Sequence, residues 1–180
     1  LGTQLQADSR TAVDAPQWST VVQTTLFSAR NLPNGKQSTD SWDGYPAARQ
    51  RLVRQISESN PRNAVLLGGD IHQNYVCNIA ALPDQAPDRD NPVIASEFCG
   101  TSISSHSGTT QAKVNAIKER NPQVVYARCE ERGYSLLEIT PQSLSAELRA
   151  VADPLKADSA VYSLARFVVE DGRPGPQKMA

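Results

Sequence analysis

Ala64-Val65-Leu66-Leu67-Gly68-Gly69-Asp70-Ile71-His72 decides how this chain is read. A short run of apolar residues bounded by glycines predicts a short buried strand. The two glycines then let the backbone turn and deliver a carboxylate and an imidazole to the strand's carboxyl end, where open α/β sheets keep their ligand sites. On an extended loop Asp70 and His72 project to the same side, close enough to ligate one ion each of a pair or to share one. Oxygen with neutral imidazole suits zinc, iron or manganese, so the chemistry indicated is metal-assisted hydrolysis. The same residues also make an ordinary turn, with Asp70 capping backbone donors and His72 resting on the surface.

Upstream, Pro46 opens an amphipathic helix over 46–59, its missing N–H costing nothing in the first turn. Leu52, Val53 and Ile56 share one face, with Arg49, Arg51 and Arg54 largely off it. Residues 17–28 alternate and carry β-branched side chains, which predicts a strand, and 30–43 is a polar, turn-rich loop. Downstream, 75–82 and 92–98 predict strands separated by the loop 83–90. A short helix is predicted over 109–120, with Ala112, Ala116 and Ile117 on its stripe and Val114 off it. The pattern then turns to β over 124–129, 134–140, 144–152 and 161–170, and the Gly/Pro-rich tail 171–180 is expected to be loose. Helix, strand and ligand-type loop in succession indicate an α/β layered enzyme, and 180 residues suit one domain with a sizeable core.

A net charge of −1 and the lack of a basic run interleaved with aromatics give nucleic acid no binding patch. No apolar stretch is long enough to span a membrane, and the opening Leu1-Gly2-Thr3 lacks both Met and a signal-peptide pattern. That opening is read as belonging to a processed product or fragment. Cys77, Cys99 and Cys129 lie in or at the edge of strand patterns and are expected to be buried free thiols. A Cys77–Cys99 bridge would require their strands to be neighbours.

The segment Asp40-Ser41-Trp42-Asp43-Gly44-Tyr45-Pro46-Ala47-Ala48-Arg49 reads first as a rigid loop, with Asp43 or Asp40 accepting backbone N–H groups. It also resembles the PhoD-like alkaline phosphatases of the metallophosphoesterase superfamily, in which a D-S-W-D-G-Y-P-x-x-R segment precedes a helix, a buried strand and a G-D-x-H loop. The likeness continues in order through Glu97-Phe98, the small-hydroxyl loop Gly100 to Ser105, Asn121-Pro122, Arg132-Gly133-Tyr134 and the close at Val168 to Gly175.

The resemblance implies part of a four-layer α/β/β/α sandwich, with two metals at the carboxyl ends of its central strands, typically iron and calcium. The implied activity is hydrolysis of phosphate mono- and diesters. Asp70 stands where the wider superfamily has a His, which hardens that half of the site toward calcium, while His72 suits iron or zinc. Both would be electrostatic scaffolding for an attack by metal-activated water.

Thr101 and Ser102 are candidates to donate to phosphate oxygens, or are plain turn formers. Arg132, read on a hairpin with Glu130 and Glu131, is either a phosphate contact or the partner of one of those carboxylates. Trp42 and Tyr45 could wall the site. The family takes its remaining ligands from an amino-terminal half whose motifs are absent here, so this chain is expected to supply one part of a bimetal site and to be inactive alone. A non-catalytic half that docks with a separate amino-terminal half is the alternative. A serine hydrolase built on Ser104 and His106 lacks a nucleophile elbow. Export to the periplasm or medium is implied by the resemblance only.

Overall fold

The computed structural model describes residues 16–180, so the opening Leu1-Gly2-Thr3 lies outside the described residues. Among those described, the order is β1 (Ser19–Val22), a 3-10 turn (Trp42–Gly44), α1 (Pro46–Ser59), β2 (Ala64–Gly68), β3 (Asn74–Ala80), β4 (Val93–Cys99), α2 (Gln111–Arg120), β5 (Val124–Arg128), β6 (Arg132–Ile139), β7 (Ser143–Val151), β8 (Val161–Glu170) and β9 (Arg173–Lys178). The first sheet has the order β1-β2-β4-β3-β5 and the second β6-β7-β8-β9. β1, β2 and β4 are parallel, β3 is antiparallel to β4 and β5, and the second sheet is antiparallel throughout.

Alternation along the strands sorts the side chains into layers. Val65, Val76 and Phe98 of the first sheet meet Leu144, Leu148, Phe167 and Val169 of the second, forming the core between the sheets. Phe167 takes Phe98 and Tyr126 edge-on, with ring centroids 6.4 and 5.5 Å away. On the other face, Leu66, Ile79 and Ala95 receive Val53 and Ile56 of α1, while Tyr75, Cys77 and Cys99 receive Val114 of α2. The result is a mixed α/β fold of helix, sheet and sheet, three of the layers an α/β/β/α sandwich would have. The outer face of the second sheet instead carries Glu147, bridged to Arg149 at 2.8 Å and Arg166 at 3.0 Å.

The structure departs from the sequence reading at four places in the fold. β1 ends at Val22, because the segment after it is received by buried side chains instead of a neighbouring strand. Glu97 accepts the N–H groups of Phe27 and Ser28 at 2.6 and 2.9 Å and the Ser28 hydroxyl at 2.5 Å. Asn121 accepts from Asn31 N–H at 2.9 Å, and Gln123 donates to the Ala29 carbonyl at 2.8 Å. These contacts satisfy a backbone that has no ladder. Complete burial pushes the Glu97 carboxyl above its ordinary range, against the pull of the three donors.

Second, Arg49 faces inward and is buried, because Asp43 lies beneath α1 and pairs with it at 2.6 Å. Third, Val114, read as off the stripe, is the buried residue of α2 because the helix turns that side onto Tyr75, Cys77 and Cys99, while Ala112 is exposed and Ala116 and Ile117 are only partly covered. Fourth, the tail is not loose. β9 closes the second sheet, and Gly175, at φ 104°, donates its N–H to the buried Ser96 hydroxyl at 2.9 Å. Pro174 and Pro176 are tolerated there because β9 is an edge strand, with one side free of ladder bonds.

Candidate functional site

The parallel strands β1, β2 and β4 all end at one rim, and the loops 23–25, 69–73 and 100–107 leave from it. Gly68 lets two of them meet: a Cβ there would come within 2.7 Å of Gln23 Nε2 and collide with the Thr25 carbonyl. Beyond it the loop is not extended as expected. Asp70 and His72 both adopt left-handed backbone, at φ 68° and 55°, and Ile71 N–H turns back to the Gly69 carbonyl at 2.8 Å. Each such residue costs on the order of 1–3 kcal/mol and persists only where its surroundings enforce it.

A cleft of about 620 Å³ opens beside this loop, lined in part by Thr24, Thr25, Asp40, Trp42, Tyr45 and Asp70. Its described walls hold two carboxylates and neither Lys nor Arg, an environment that favours a cation. Tyr45 is 63% exposed. Trp42 is tied down, donating Nε1 to Gln23 at 3.0 Å and meeting Phe27 edge-on at 4.9 Å. Buried Asp43 steadies this wall from behind, pairing with Arg49 and accepting Arg30 N–H at 3.2 Å.

His72, Thr101 and Ser102 stand on the rim loops 69–73 and 100–107, with Arg132 reaching Thr101 at 3.5 Å, and each is held by hydrogen bonds to its surroundings. His72 Nδ1 contacts the His106 carbonyl at 3.1 Å. Thr101 donates its N–H to Asn74 Oδ1 and its hydroxyl to the Glu131 carbonyl, both at 3.2 Å. The Ser102 hydroxyl donates to the Ser105 carbonyl, and the Ser102 carbonyl accepts Gly133 N–H at 3.0 Å.

Residues 129–131 are not a hairpin turn but the crossing from the first sheet to the second. Arg132 is accordingly buried, donating to the Glu131 carbonyl at 2.7 Å and the Cys129 carbonyl at 3.1 Å. It pairs with neither neighbouring glutamate, because Arg128 takes both. As folded, the hydroxyls of Thr101 and Ser102, and most of the donors of Arg132, are committed to the protein's own acceptors.

The three cysteines are free and buried. β3 and β4 are neighbours, yet their register sets Cys99 opposite Tyr75 and Cys77 opposite Glu97. Burial pushes the Cys77 and Cys99 thiols well up and the Tyr75 hydroxyl to about 12, which removes them as nucleophiles near neutral pH. Asp70 and His72 fit a metal by donor chemistry: an exposed carboxylate without an ion pair among the described residues, and an imidazole held by one nitrogen only. Two donors do not close a site, and among the described residues no three His, Cys, Asp or Glu side chains converge.

Glu97, Asn121 and Gln123 went unrecognised in the sequence as the groups that seat the segment behind the cleft. Glu97 carried a signal, a charge inside the apolar run 93–99. A family profile described as PhoD-like phosphatase matches residues 1–148. Alkaline phosphatase D of Bacillus subtilis (strain 168) is 29% identical over 168 residues, covering 91% of this chain and 28% of that protein. A solved structure described as "Structure of PhoD" matches with a TM-score of 0.84 at 27% identity, over 99% of this chain and 34% of the other. The chain thus spans about a third of the length of the relatives it matches.

Proposed function

Because the chain belongs to the PhoD-like phosphatase family, we propose that it forms part of a metal-dependent hydrolase of phosphate mono- and diesters, with Asp70 and His72 among the metal ligands. The observation that carries this reading is the doubly left-handed Asp70–His72 loop, strained backbone held at the carboxyl ends of parallel strands beside an acidic cleft. Iron and calcium are the ions proposed, with zinc or manganese as substitutes; bound there, they would polarise phosphoryl oxygens and acidify a water. Asp70 and His72 hold positive charge and transfer no proton. Tyr45 and Trp42 wall the approach to the cleft, and Asp43 keeps that wall in place. Thr101, Ser102 and Arg132 border the substrate, where a phosphate oxygen could reach the two hydroxyls only by displacing a carbonyl.

The partner is the amino-terminal part of the same enzyme, which supplies the remaining ligands; this chain alone is inactive. An exported enzyme, periplasmic or secreted, follows the family resemblance. The test is elemental analysis with turnover of a chromogenic phosphodiester, on the intact enzyme and its His72→Ala variant. Loss of about one equivalent of metal and a fall in rate of 100-fold or more is expected. Unchanged metal content and rate in that variant would refute the assignment.

A further inference from the structure

Loop 100–107 is fastened at its root and nearly bare at its tip. Gly100 N–H reaches the Gly68 carbonyl at 3.0 Å, Thr101 is held by Asn74 and Glu131, and the Ser102 carbonyl takes Gly133 N–H. Past that root, the hydrogen bonds onto 103–106 among the described residues are two: Ser102 hydroxyl to Ser105 carbonyl, and His72 Nδ1 to His106 carbonyl. A carbonyl oxygen only accepts, so the second contact requires the proton to sit on Nδ1; the other tautomer would set two lone pairs face to face. The ring then has Nε2 as its unprotonated nitrogen, the one able to bind a cation.

We propose that Ser102 is a positioning residue: by pinning the Ser105 carbonyl it shapes the turn that offers the His106 carbonyl to His72, and so fixes Nε2 as the metal-binding atom. This rests on the reading of His72 as a ligand. It gives the small-hydroxyl loop a role apart from touching substrate, and it assigns the work at position 106 to backbone, its imidazole being exposed.

The test follows metal retention in the intact enzyme against a competing chelator, read by elemental analysis. Ser102→Ala should release metal at about 10- to 100-fold lower chelator concentration, the usual effect of removing an outer-shell partner. Ser102→Thr should restore retention, and His106→Ala should leave it unchanged. A second reading uses the metal-free wild-type enzyme with 15N-labelled histidine, the His72 signals being those missing from His72→Ala. Protonated Nδ1 is expected, and protonated Nε2 would overturn the proposal whatever the variants do. Retention unaltered by Ser102→Ala, or lowered as much by His106→Ala, would also overturn it. If His72→Ala itself retains metal, the ligand reading fails; if it loses metal while Ser102→Ala does not, only the positioning role fails.

Discussion

Replacing Gly133 by Ala tests the close pairing of β6 with β7 at the start of the second sheet. A Cβ at this position would overlap the Arg149 carbonyl oxygen and stand 2.8 Å from that carbonyl's carbon and 2.9 Å from Ala150 Cα. Carbon atoms settle at about 3.5 Å or more, so β6 must retreat from β7 by at least about 0.7 Å, and further for the oxygen. Overpacking of this kind costs about 1–3 kcal/mol. Stretching two hydrogen bonds out of range, those of the β6–β7 ladder or Gly133 N–H to Ser102, adds about 1–3 kcal/mol.

The sum is about 4 kcal/mol at its centre, and with a urea slope of about 2 kcal/mol per molar the unfolding midpoint should fall by about 2 M. Gly35→Ala is the control: it stands at φ 69° with nothing within 4 Å of the new Cβ, so only the left-handed backbone penalty of about 1–2 kcal/mol applies. Urea unfolding followed by circular dichroism decides. If Gly133→Ala lowers the midpoint no more than Gly35→Ala, the close approach of β6 and β7 is not what requires glycine.

The Arg62 hydrogen bond, aided by Asn63, holds the Asp171 carboxyl down at about 2 from an ordinary 3.8, so the native state binds this proton less tightly than the unfolded chain. Its stabilisation is complete above about pH 3.8 and is lost as pH falls toward about 2. Asp171→Asn should therefore be less stable than wild type at neutral pH, with the difference closing below pH 3 in acid titrations of stability; a constant difference would count against the ion pair. Asp43→Ala strips Arg49 of its buried partner and leaves only half-exposed Asp84, at 3.0 Å. Breaking such a pair costs about 3–5 kcal/mol, or about 10 °C in melting temperature for a chain of this size. A melt within 2 °C of wild type would contradict that role.

Local pattern carried the elements whose physics is local. Val65 and Leu66 announced a strand buried on both faces, Pro46 marked the first turn of its helix, and the period-two alternation of 161–170 gave β8 to the residue. What failed were features decided by distant partners. Strand character in 17–28 was real over 19–22, but Phe27 and Ser28 give their N–H groups to Glu97, about seventy positions away, in place of a ladder. Arg49 read as a solvent-facing cation because nothing nearby in sequence says that Asp43 folds back beneath it. Pro174-Gly175-Pro176 carried every mark of a frayed end, yet β9 pairs with β8 and is pinned across to the first sheet by Gly175 N–H on the Ser96 hydroxyl.

At the site, the residue types of the Asp70–His72 loop were legible, but their left-handed backbone was not. The commitment of Thr101, Ser102 and Arg132 to carbonyls was equally hidden, since it follows from the crossing between sheets.

The meander β6 to β9 pairs only strands adjacent in the chain, whereas β1 must find β2 across the whole 23–63 segment and β4 must insert between β2 and β3. Contacts between near neighbours close at the least entropic expense, and so form soonest. We therefore expect the carboxyl-terminal sheet to nucleate first and to present its apolar inner side as a template on which the rim carrying Asp70 and His72 condenses late. Pulsed amide exchange during refolding would show it: protection at β7 and β8 preceding that at β1, with simultaneous protection excluding this order of assembly.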